Sequence, residues 1–364
     1  GFHCLIDPDA PDNLIASEYY GKAHRSTDGG WSWAPWILSN GDGVNEQGDW
    51  NTPLAQSPVV PNRIHVAKHR VYWTDDAGIT WGQTQALPGN EIEVLALSFT
   101  EDSILAVAKG SFAFITHDLD QWTPLTGLPG MPVQDLLFDA GSSDVLWMAF
   151  GGYSADDRIW QSLDGGDTWV SFSEGLPALP VNALTQDPGS GDLYAGTDAG
   201  VYVRPAGSSS WTPYKSGLPE VLCSDIGIRQ STGELLLATY GRGLWKAPLH
   251  TPPARDAGIV AIHGTKAVRC SGPLSVATEV RNCGSDTLVA VSLLWNGTDT
   301  VTYGVLLPPN AETRLNWPNS SRAAVPAGDQ LVVRIVNVVG ADGNWSQGTK
   351  ESGFDDVPEN DVLG

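Results

Sequence analysis

The sequence of 364 residues predicts an all-β protein in which similar small sheets repeat along the first two thirds of the chain. Three observations support this prediction. A short acidic turn motif recurs at the interval of a four-stranded sheet, apolar residues alternate between turns rich in Gly, Asp and Pro, and no segment shows helical periodicity. The 41 Gly, 25 Pro and 15 Trp residues are typical of a turn-rich protein with a packed core.

The acidic turn motif has the pattern Ser/Thr-x-Asp-x-Gly-x-Ser/Thr-Trp and occurs in full three times. We expect its Asp to accept backbone N–H groups across a hairpin turn and its Gly to supply a positive φ. The Trp is expected to be buried against neighbouring strands, so the motif is predicted to stabilise the fold. Its residues are Ser26, Asp28, Gly30 and Trp33; Thr74, Asp76, Gly78 and Trp81; and Ser162, Asp164, Gly166 and Trp169.

Degenerate copies of the motif at 116–122 and 204–211 extend the series, with closing Trp residues at 33, 81, 122, 169 and 211. Steps of 41 to 48 residues between these Trp residues match the length of a four-stranded propeller blade. A Gly-Leu-Pro turn recurs in phase at 127–129, 175–177 and 217–219. The predicted strand sets lie near 1–38, 48–86, 91–126, 132–175, 180–217 and 221–249.

The last strand set ends before an outermost strand. A closed ring leaves no exposed edge only if that strand comes from elsewhere in the chain. We therefore expect either a strand supplied from upstream or an incomplete ring.

These repeats resemble those of the Asp-box or BNR-repeat β-propellers, and the resemblance covers residues 1–250. That group includes sialidases, xyloglucanase-type glycosidases, sortilin-like receptors and non-enzymatic surface proteins. The resemblance implies a β-propeller of about six blades over residues 1–249, but it does not imply one activity.

A Pro-bearing linker at 250–255 precedes a different pattern at 256–364, where about seven short strands predict an immunoglobulin-like β-sandwich. Val280–Leu288 and Trp295–Thr300 resemble the CARDB-type adhesion modules of secreted bacterial proteins. That resemblance implies a secreted or cell-surface protein of the type IX secretion route. Because the chain opens directly on a strand and stops soon after Asp355–Asp361, we expect it to be a piece of a longer protein.

The formal net charge of −22 disfavours nucleic acid and anionic membrane surfaces as partners. No apolar run reaches the roughly 18–20 residues of a membrane-spanning helix, so direct membrane insertion is not expected. The four cysteines are too scattered for a disulfide scaffold or a zinc site, and their redox state stays open. They are Cys4, Cys223, Cys270 and Cys283.

The sequence lacks the active-site motif of sialidases. The segment closest to the Phe-Arg-Ile-Pro motif of sialidases, Asn62–His65, lacks its Phe and Pro. A glycosidase needs two carboxylates about 5–9 Å apart, and Asp7, Asp135 and Asp225 on predicted innermost strands are candidates that sequence cannot place together. The His residues lack metal-ligand spacing, no cofactor is implied, and the acidic turn Asp187–Asp192 is the best of the weak Ca²⁺ candidates.

Aromatic and basic residues recur in the loops that join the second and third strands of a blade, on the face opposite the Asp boxes. Such side chains at a propeller mouth are suited to binding a glycan or a surface protein. The primary hypothesis is a non-enzymatic binding, adhesion or scaffold protein, and the alternative is a glycan-acting hydrolase whose cleft needs further blades. The candidate ligand-binding residues are Tyr19, Tyr20, His69, Arg70, Tyr153, Arg158, Tyr240 and Arg242.

Short glycosylation patterns occur in the C-terminal module. Two Asp-Ser/Thr-aliphatic sequences place Thr287 and Thr300 as O-linked candidates, and N-linked sequons mark Asn296, Asn319 and Asn344. Patterns of this length also arise by chance, so both outcomes stay open.

Overall fold

The computed structural model describes residues 3–7, 10–37, 43–60, 62–154, 156–214, 216–251, 257–263, 277–295, 299–316, 333–340 and 345–347. It confirms the predicted all-β class, because these ranges hold strands, turns and a single 3₁₀ turn, Tyr19–Gly21. The chain divides into two compact units, residues 1–250 and 251–364. Within the described ranges, no helix has the length and apolar character needed to cross a bilayer.

The first unit contains six antiparallel sheets in chain order, here called blades, in which each strand pairs with the next. Blade 1 comprises β1 (Cys4–Ile6), β2 (Leu14–Ser17), β3 (Ala23–Ser26) and β4 (Ala34–Ile37). Blade 2 comprises β5 (Leu54–Gln56), β6 (Ile64–Ala67), β7 (Val71–Thr74) and β8 (Gly82–Gln83). Blade 3 comprises β9 (Val94–Leu97), β10 (Leu105–Lys109), β11 (Phe112–Thr116) and β12 (Thr123–Pro124).

Blade 4 comprises β13 (Val133–Asp139), β14 (Ser142–Phe150), β15 (Ile159–Ser162) and β16 (Val170–Ser171). Blade 5 comprises β17 (Val181–Gln186), β18 (Leu193–Thr197), β19 (Gly200–Arg204) and β20 (Thr212–Pro213). Blade 6 has three strands, β21 (Cys223–Arg229), β22 (Glu234–Thr239) and β23 (Gly243–Pro248). The described part of the chain thus agrees with the expectation that the last blade lacks an outermost strand.

Apolar alternation explains how the blades pack. Successive residues of a strand point to opposite faces of its sheet. The second strand of a blade can therefore be apolar throughout, because its alternate residues pack against the preceding and the following blade. In β14, Met148 packs with Ile115 of blade 3, whereas the adjacent Trp147 packs with Leu184 of blade 5. The first strands of successive blades contact one another from blade 1 to blade 6. These contacts place the first strands innermost and the fourth strands at the rim.

The three full Asp boxes adopt the expected turn. In the first, the Ser26 hydroxyl donates to Asp28 Oδ1 at 2.7 Å, and the Asp28 carboxylate accepts the backbone N–H (2.9 Å) and hydroxyl (2.6 Å) of Ser32. The second and third boxes repeat these bonds. The hydroxyl of Ser32 is the main reason why the pKa of Asp28 falls to about 2, and Thr80 has the same effect on Asp76. The hydrogen bonds of each box therefore form within one turn and stabilise it locally.

The expectation that all three box Trp residues are buried is wrong for Trp33. Trp169 is 9 % exposed and packs between blades 3 and 4, whereas Trp33 is 42 % exposed. Both indoles donate to a carbonyl three residues earlier, at 3.0 Å. The difference arises because a box Trp is covered by the preceding blade, and no described blade precedes blade 1 in the chain.

The second box departs from the pattern in another way. Trp81 is half-buried, and its indole N–H has no hydrogen-bond partner among the described residues. Trp36, from the rim strand of blade 1, instead donates to the Ala77 carbonyl at 2.7 Å and lies over Gly78. An indole from the neighbouring blade therefore occupies the position that the box's own Trp takes elsewhere.

The second unit contains two antiparallel sheets. One has the order β24 (Ala257–His263), β25 (Ala277–Asn282) and β28 (Glu312–Asn316). The other has the order β27 (Asp299–Leu307), β26 (Leu288–Trp295), β29 (Val333–Gly340) and β30 (Trp345–Gln347). A core that includes Val280, Val291 and Leu315 joins strands of both sheets.

Modification candidates and cysteines are only partly described. Thr287 is half-buried and Thr300 is exposed, whereas Asn296, Asn319 and Asn344 lie outside the described residues. Cys4 and Cys223 are free thiols, and Cys270 lies outside the described ranges.

Candidate functional site

Antiparallel pairing places two sets of connections on one side of the first unit. The turn between the second and third strands of each blade and the segment leading to the next blade share this side, called the loop face below. The Asp boxes join the third and fourth strands and lie on the opposite side. All eight candidate ligand-binding residues lie at or next to second-to-third-strand turns of the loop face, as the repeat pattern predicts.

An aromatic cluster stands on the loop face at blade 1. The rings of Tyr19 and Trp50 stack with centroids 5.4 Å apart, and Tyr20 meets Trp50 edge-on at 5.4 Å. The ammonium of Lys22 lies 5.0 Å from the centre of the Tyr19 ring. Trp50 is 55 % exposed, and Tyr20 has a left-handed backbone with φ 64°, which is uncommon for a residue other than Gly. This is a preformed aromatic surface.

Two basic residues of blade 2 bond to Glu46, in the segment that carries Trp50. The buried Lys68 ammonium donates to the Glu46 carbonyl at 2.6 Å, and Arg70 Nε donates to the Glu46 carboxylate at 2.7 Å. Burial lowers the pKa of Lys68 to about 8, against the opposing effect of Glu46. His69 lies 3.7 Å from Glu91. Arg70 is thus engaged beneath the loop, and its main contact is with the protein itself.

The remaining candidates divide by exposure. Tyr153, Tyr240 and Arg242 are exposed on the loop face. Arg158 is completely buried and donates to the Gly152 carbonyl at 2.6 Å, so its assignment to ligand contact is corrected. Its backbone N–H donates to Ser173 Oγ at 3.0 Å, directly before β15 begins.

The three carboxylates considered for catalysis serve the backbone. Asp135 accepts the N–H groups of Leu136 (2.8 Å) and Leu184 (2.7 Å), so it links the innermost strands of blades 4 and 5. Burial raises the pKa of Asp135 to about 7 despite these two bonds. Asp225 accepts the N–H of Ile226, and Asp7 accepts that of Ala10 near the Asp-box side. Each carboxylate therefore has a structural partner.

Other chemical candidates are also engaged locally. Arg63, in the segment compared with sialidases, forms an ion pair with Asp75 at 2.6 Å and another with Asp102. Asp187 accepts hydrogen bonds from the backbone of Gly189 (3.0 Å) and the hydroxyl of Ser190 (2.8 Å) within its own turn. Across the described ranges, no three His, Cys, Asp or Glu residues are grouped to hold a metal ion.

Sequence reasoning missed Trp50, Glu46 and Lys68. Trp50 and Glu46 lie in the connection between blades 1 and 2, outside the repeated positions that directed attention to the turns. The length of that connection, from Ile37 to Leu54, was the available signal, because long loops in compact domains are often functional.

Comparison of the sequence with family models and with curated proteins gave no match. Solved structures are similar in fold. A structure described as YCF48 bound to D1 peptide has a TM-score of 0.50 and 17% identity, covering 66% of this chain and 75% of that chain. A chain of a Mitotic Checkpoint Complex has a TM-score of 0.50 and 12% identity, covering 68% and 74%.

A structure described as an ancestral GH74 enzyme has a TM-score of 0.49 and 12% identity, covering 96% of this chain and 60% of that chain. The neighbours with a TM-score of 0.50 thus include a protein bound to a peptide and a chain of a protein complex. Identities this low describe architecture alone. Six sheets joined through their innermost strands, together with these similarities, establish that the first unit has a β-propeller fold.

Proposed function

We propose that the propeller is a recognition module that binds a segment of a partner protein on its loop face. The observation that carries this proposal is the exposed cluster of Tyr19, Tyr20 and Trp50, held on a charged base. Tyr, Trp and Arg dominate the energetics of protein interfaces because they bury large rigid surfaces at little entropic cost. Tyr240 and Arg242 add further side chains of this kind to the same face.

The contacts of the carboxylates favour binding over hydrolysis. A glycosidase needs two carboxyl groups that face a substrate across a solvent-filled cleft. Asp135 is half-buried and accepts two backbone N–H groups, and Asp225 accepts the N–H of Ile226 in its own strand. These bonds hold both carboxylates against the innermost strands that carry them, so we take hydrolysis as the weaker candidate.

A protein segment is favoured over a glycan because two structures of similar fold come from complexes with a peptide or with proteins. We also propose that the protein works outside the cell as a surface or secreted binding protein. The resemblance of Val280–Leu288 and Trp295–Thr300 to the adhesion modules of secreted bacterial proteins supports that setting.

The proposal is tested by panning a random peptide library on the intact chain and measuring the affinity of selected peptides. Trp50→Ala should weaken binding by about tenfold or more, as truncation of an interface hot spot does. Trp31→Ala is the matched control, because Trp31 is an exposed Trp on the Asp-box side. Thermal unfolding of both variants verifies that each is folded.

Two results would count against this function. One is a set of peptides that bind wild type and Trp50→Ala equally. The other is turnover of an oligosaccharide by the purified chain, which would support the hydrolase alternative and leave the loop face as an accessory surface.

A further inference from the structure

A cavity of about 320 Å³ lies between blades 1 and 2 on the Asp-box side of the propeller. In blade 1, Leu5 pairs with Ile15 and Ile15 pairs with Arg25, so the three side chains form a row on one face of the sheet. This row and the rim residue Trp36 make one wall of the cavity, and Ile64 and the second Asp box make the wall of blade 2. Small-molecule sites have volumes of about 300–1,000 Å³, so the cavity is large enough for a small ligand.

Arg25 is an unusual residue for its position in the repeat. It directly precedes the Ser of the first Asp box, and the residues at this position in blades 3 and 5 are Ile115 and Val203. Those two residues are 2 % and 3 % exposed, and each belongs to a core shared with the following blade. Arg25 is half-buried and lines the cavity. A position that packs one blade against the next in blades 3 and 5 therefore presents a guanidinium group in blade 1.

Carboxylates form another part of the polar wall. Asp7 lines the cavity from blade 1, and Asp75 and Asp76 line it from the second Asp box. The hydrogen bond from Arg63 lowers the pKa of Asp75, and hydrogen bonds from Thr80 lower the pKa of Asp76 to about 2. Both groups are therefore ionised at neutral pH, and an ionised carboxylate only accepts hydrogen bonds.

This mixture of charges favours a neutral ligand that carries hydroxyl groups. A cationic ligand would be repelled by Arg25 and an anionic ligand by the carboxylates, so either would pair with one part of the wall and oppose another. The amides of Asn13, Gln56 and Asn62 also line the cavity, and an amide both donates and accepts. A hydroxyl group does the same, so neighbouring hydroxyls of one ligand can bond to the guanidinium and to a carboxylate together.

We propose that this cavity binds the ring of a neutral sugar, either free or at the end of a glycan. Arg25 and the amides donate hydrogen bonds to the hydroxyl groups of the sugar, and the carboxylates accept hydrogen bonds from them. Trp36 and Ile15 contact the apolar C–H surface of the ring. The site lies on the side opposite the loop face, so a sugar and a protein segment can be bound at the same time.

The test titrates the full chain with the methyl glycosides of glucose, galactose, mannose and N-acetylglucosamine and follows binding by saturation-transfer difference NMR. Saturable binding of at least one of these probes is expected. Arg25→Leu should weaken that binding by about tenfold or more, because a hydrogen bond from a charged donor is lost. Arg229→Leu is the matched control, because Arg229 is exposed on blade 6, and it should leave the affinity unchanged.

A second variant and a second probe keep the test decisive if Arg25→Leu does not fold, which thermal unfolding would show. Gln56→Ala removes an amide from the wall and should weaken binding roughly three- to tenfold. The uronide of the sugar that binds has the same ring with an added carboxylate. It should bind more weakly than the neutral glycoside, because the carboxylates of the wall repel it.

Absence of saturable binding for all of the methyl glycosides would overturn the proposal. Equal affinities for wild type and folded Arg25→Leu, or tighter binding of the uronide, would overturn it as well. A disaccharide that binds more tightly than the methyl glycoside would support the end of a glycan as the ligand, and equal affinities would support a free sugar. Trp50→Ala should leave these affinities unchanged, so the result is independent of the loop-face function.

Discussion

Trp169 and Trp33 allow the packing of an Asp box to be separated from its local hydrogen bonds. Both close a full box, and both donate to a Gly carbonyl at 3.0 Å. They differ in burial, because blade 3 covers Trp169 whereas Trp33 is 42 % exposed. Replacing each by Ala removes the same local bond and a different amount of buried surface.

The size of the difference follows from the exposed fractions. A Trp side chain buries up to about 250 Å². The two residues differ by about a third of that area, roughly 80 Å², which at about 25 cal/mol per Å² corresponds to ~2 kcal/mol. Trp169→Ala should therefore cost about 3–5 kcal/mol of unfolding free energy, as for buried aromatic residues, and Trp33→Ala about 1–3 kcal/mol.

The assay is urea unfolding followed by circular dichroism, which does not depend on the number of Trp residues. Stability is compared through the midpoint, provided that the denaturant slope is unchanged. Equal losses for the two variants would refute the conclusion that box Trp residues gain stability from the preceding blade. A larger loss for Trp33→Ala would show that the local turn, and not packing, sets the effect.

Three further predictions concern turns and titrating groups. Gly175→Ala should cost clearly more than Gly127→Ala in urea unfolding, because both have positive φ but an added Cβ at Gly175 would lie 2.2 Å from the Trp211 carbonyl; equal costs would argue against the clash. Burial lowers the pKa of His65 to about 4, so its stabilising contribution is present above about pH 6.5 and is lost as pH falls towards 4. His65→Leu should flatten the urea midpoint over that pH range. Asp28 and Asp76, with pKa values of about 2, contribute stability above about pH 4 that is lost as pH falls towards 2. The double Asn variant should show a smaller decrease in midpoint in that range, and an unchanged pH profile would contradict the assignment.

The Asp-box turns were predictable from sequence because their interactions are local. Ser26, Asp28 and Ser32 lie within seven residues, so their types and spacing are sufficient to predict the hydrogen bonds that form. The missing strand of blade 6 was predictable for a similar reason, since it needs only a count of strands against a repeat. Local chemistry and periodicity account for this part of the fold.

Features that depend on neighbouring blades were not predictable in the same way. The exposure of Trp33 depends on what covers blade 1, and nothing in the motif differs between Trp33 and Trp169 in this respect. Arg158 and Arg242 both lie in second-to-third-strand turns, yet Arg158 is buried and bonds to the Gly152 carbonyl, whereas Arg242 is exposed. Trp50 belongs to no repeat, and it reaches the site through the tertiary contacts of Glu46 and Lys68.

The placement of charge favours a protein contact on the loop face over one at the Asp boxes. The net charge of −22 is felt at a docking surface only through nearby groups, because salt screens charges beyond about 8–10 Å. On the Asp-box side, the low pKa values of Asp28 and Asp76 keep those carboxylates ionised. On the loop face, Lys22 lies beside the aromatic cluster, and Arg242 is exposed in the turn before β23. A partner segment would therefore meet a cation beside the aromatic cluster and ionised carboxylates at the boxes, so the same chain can remain soluble through its acidity and still bind through its aromatic residues.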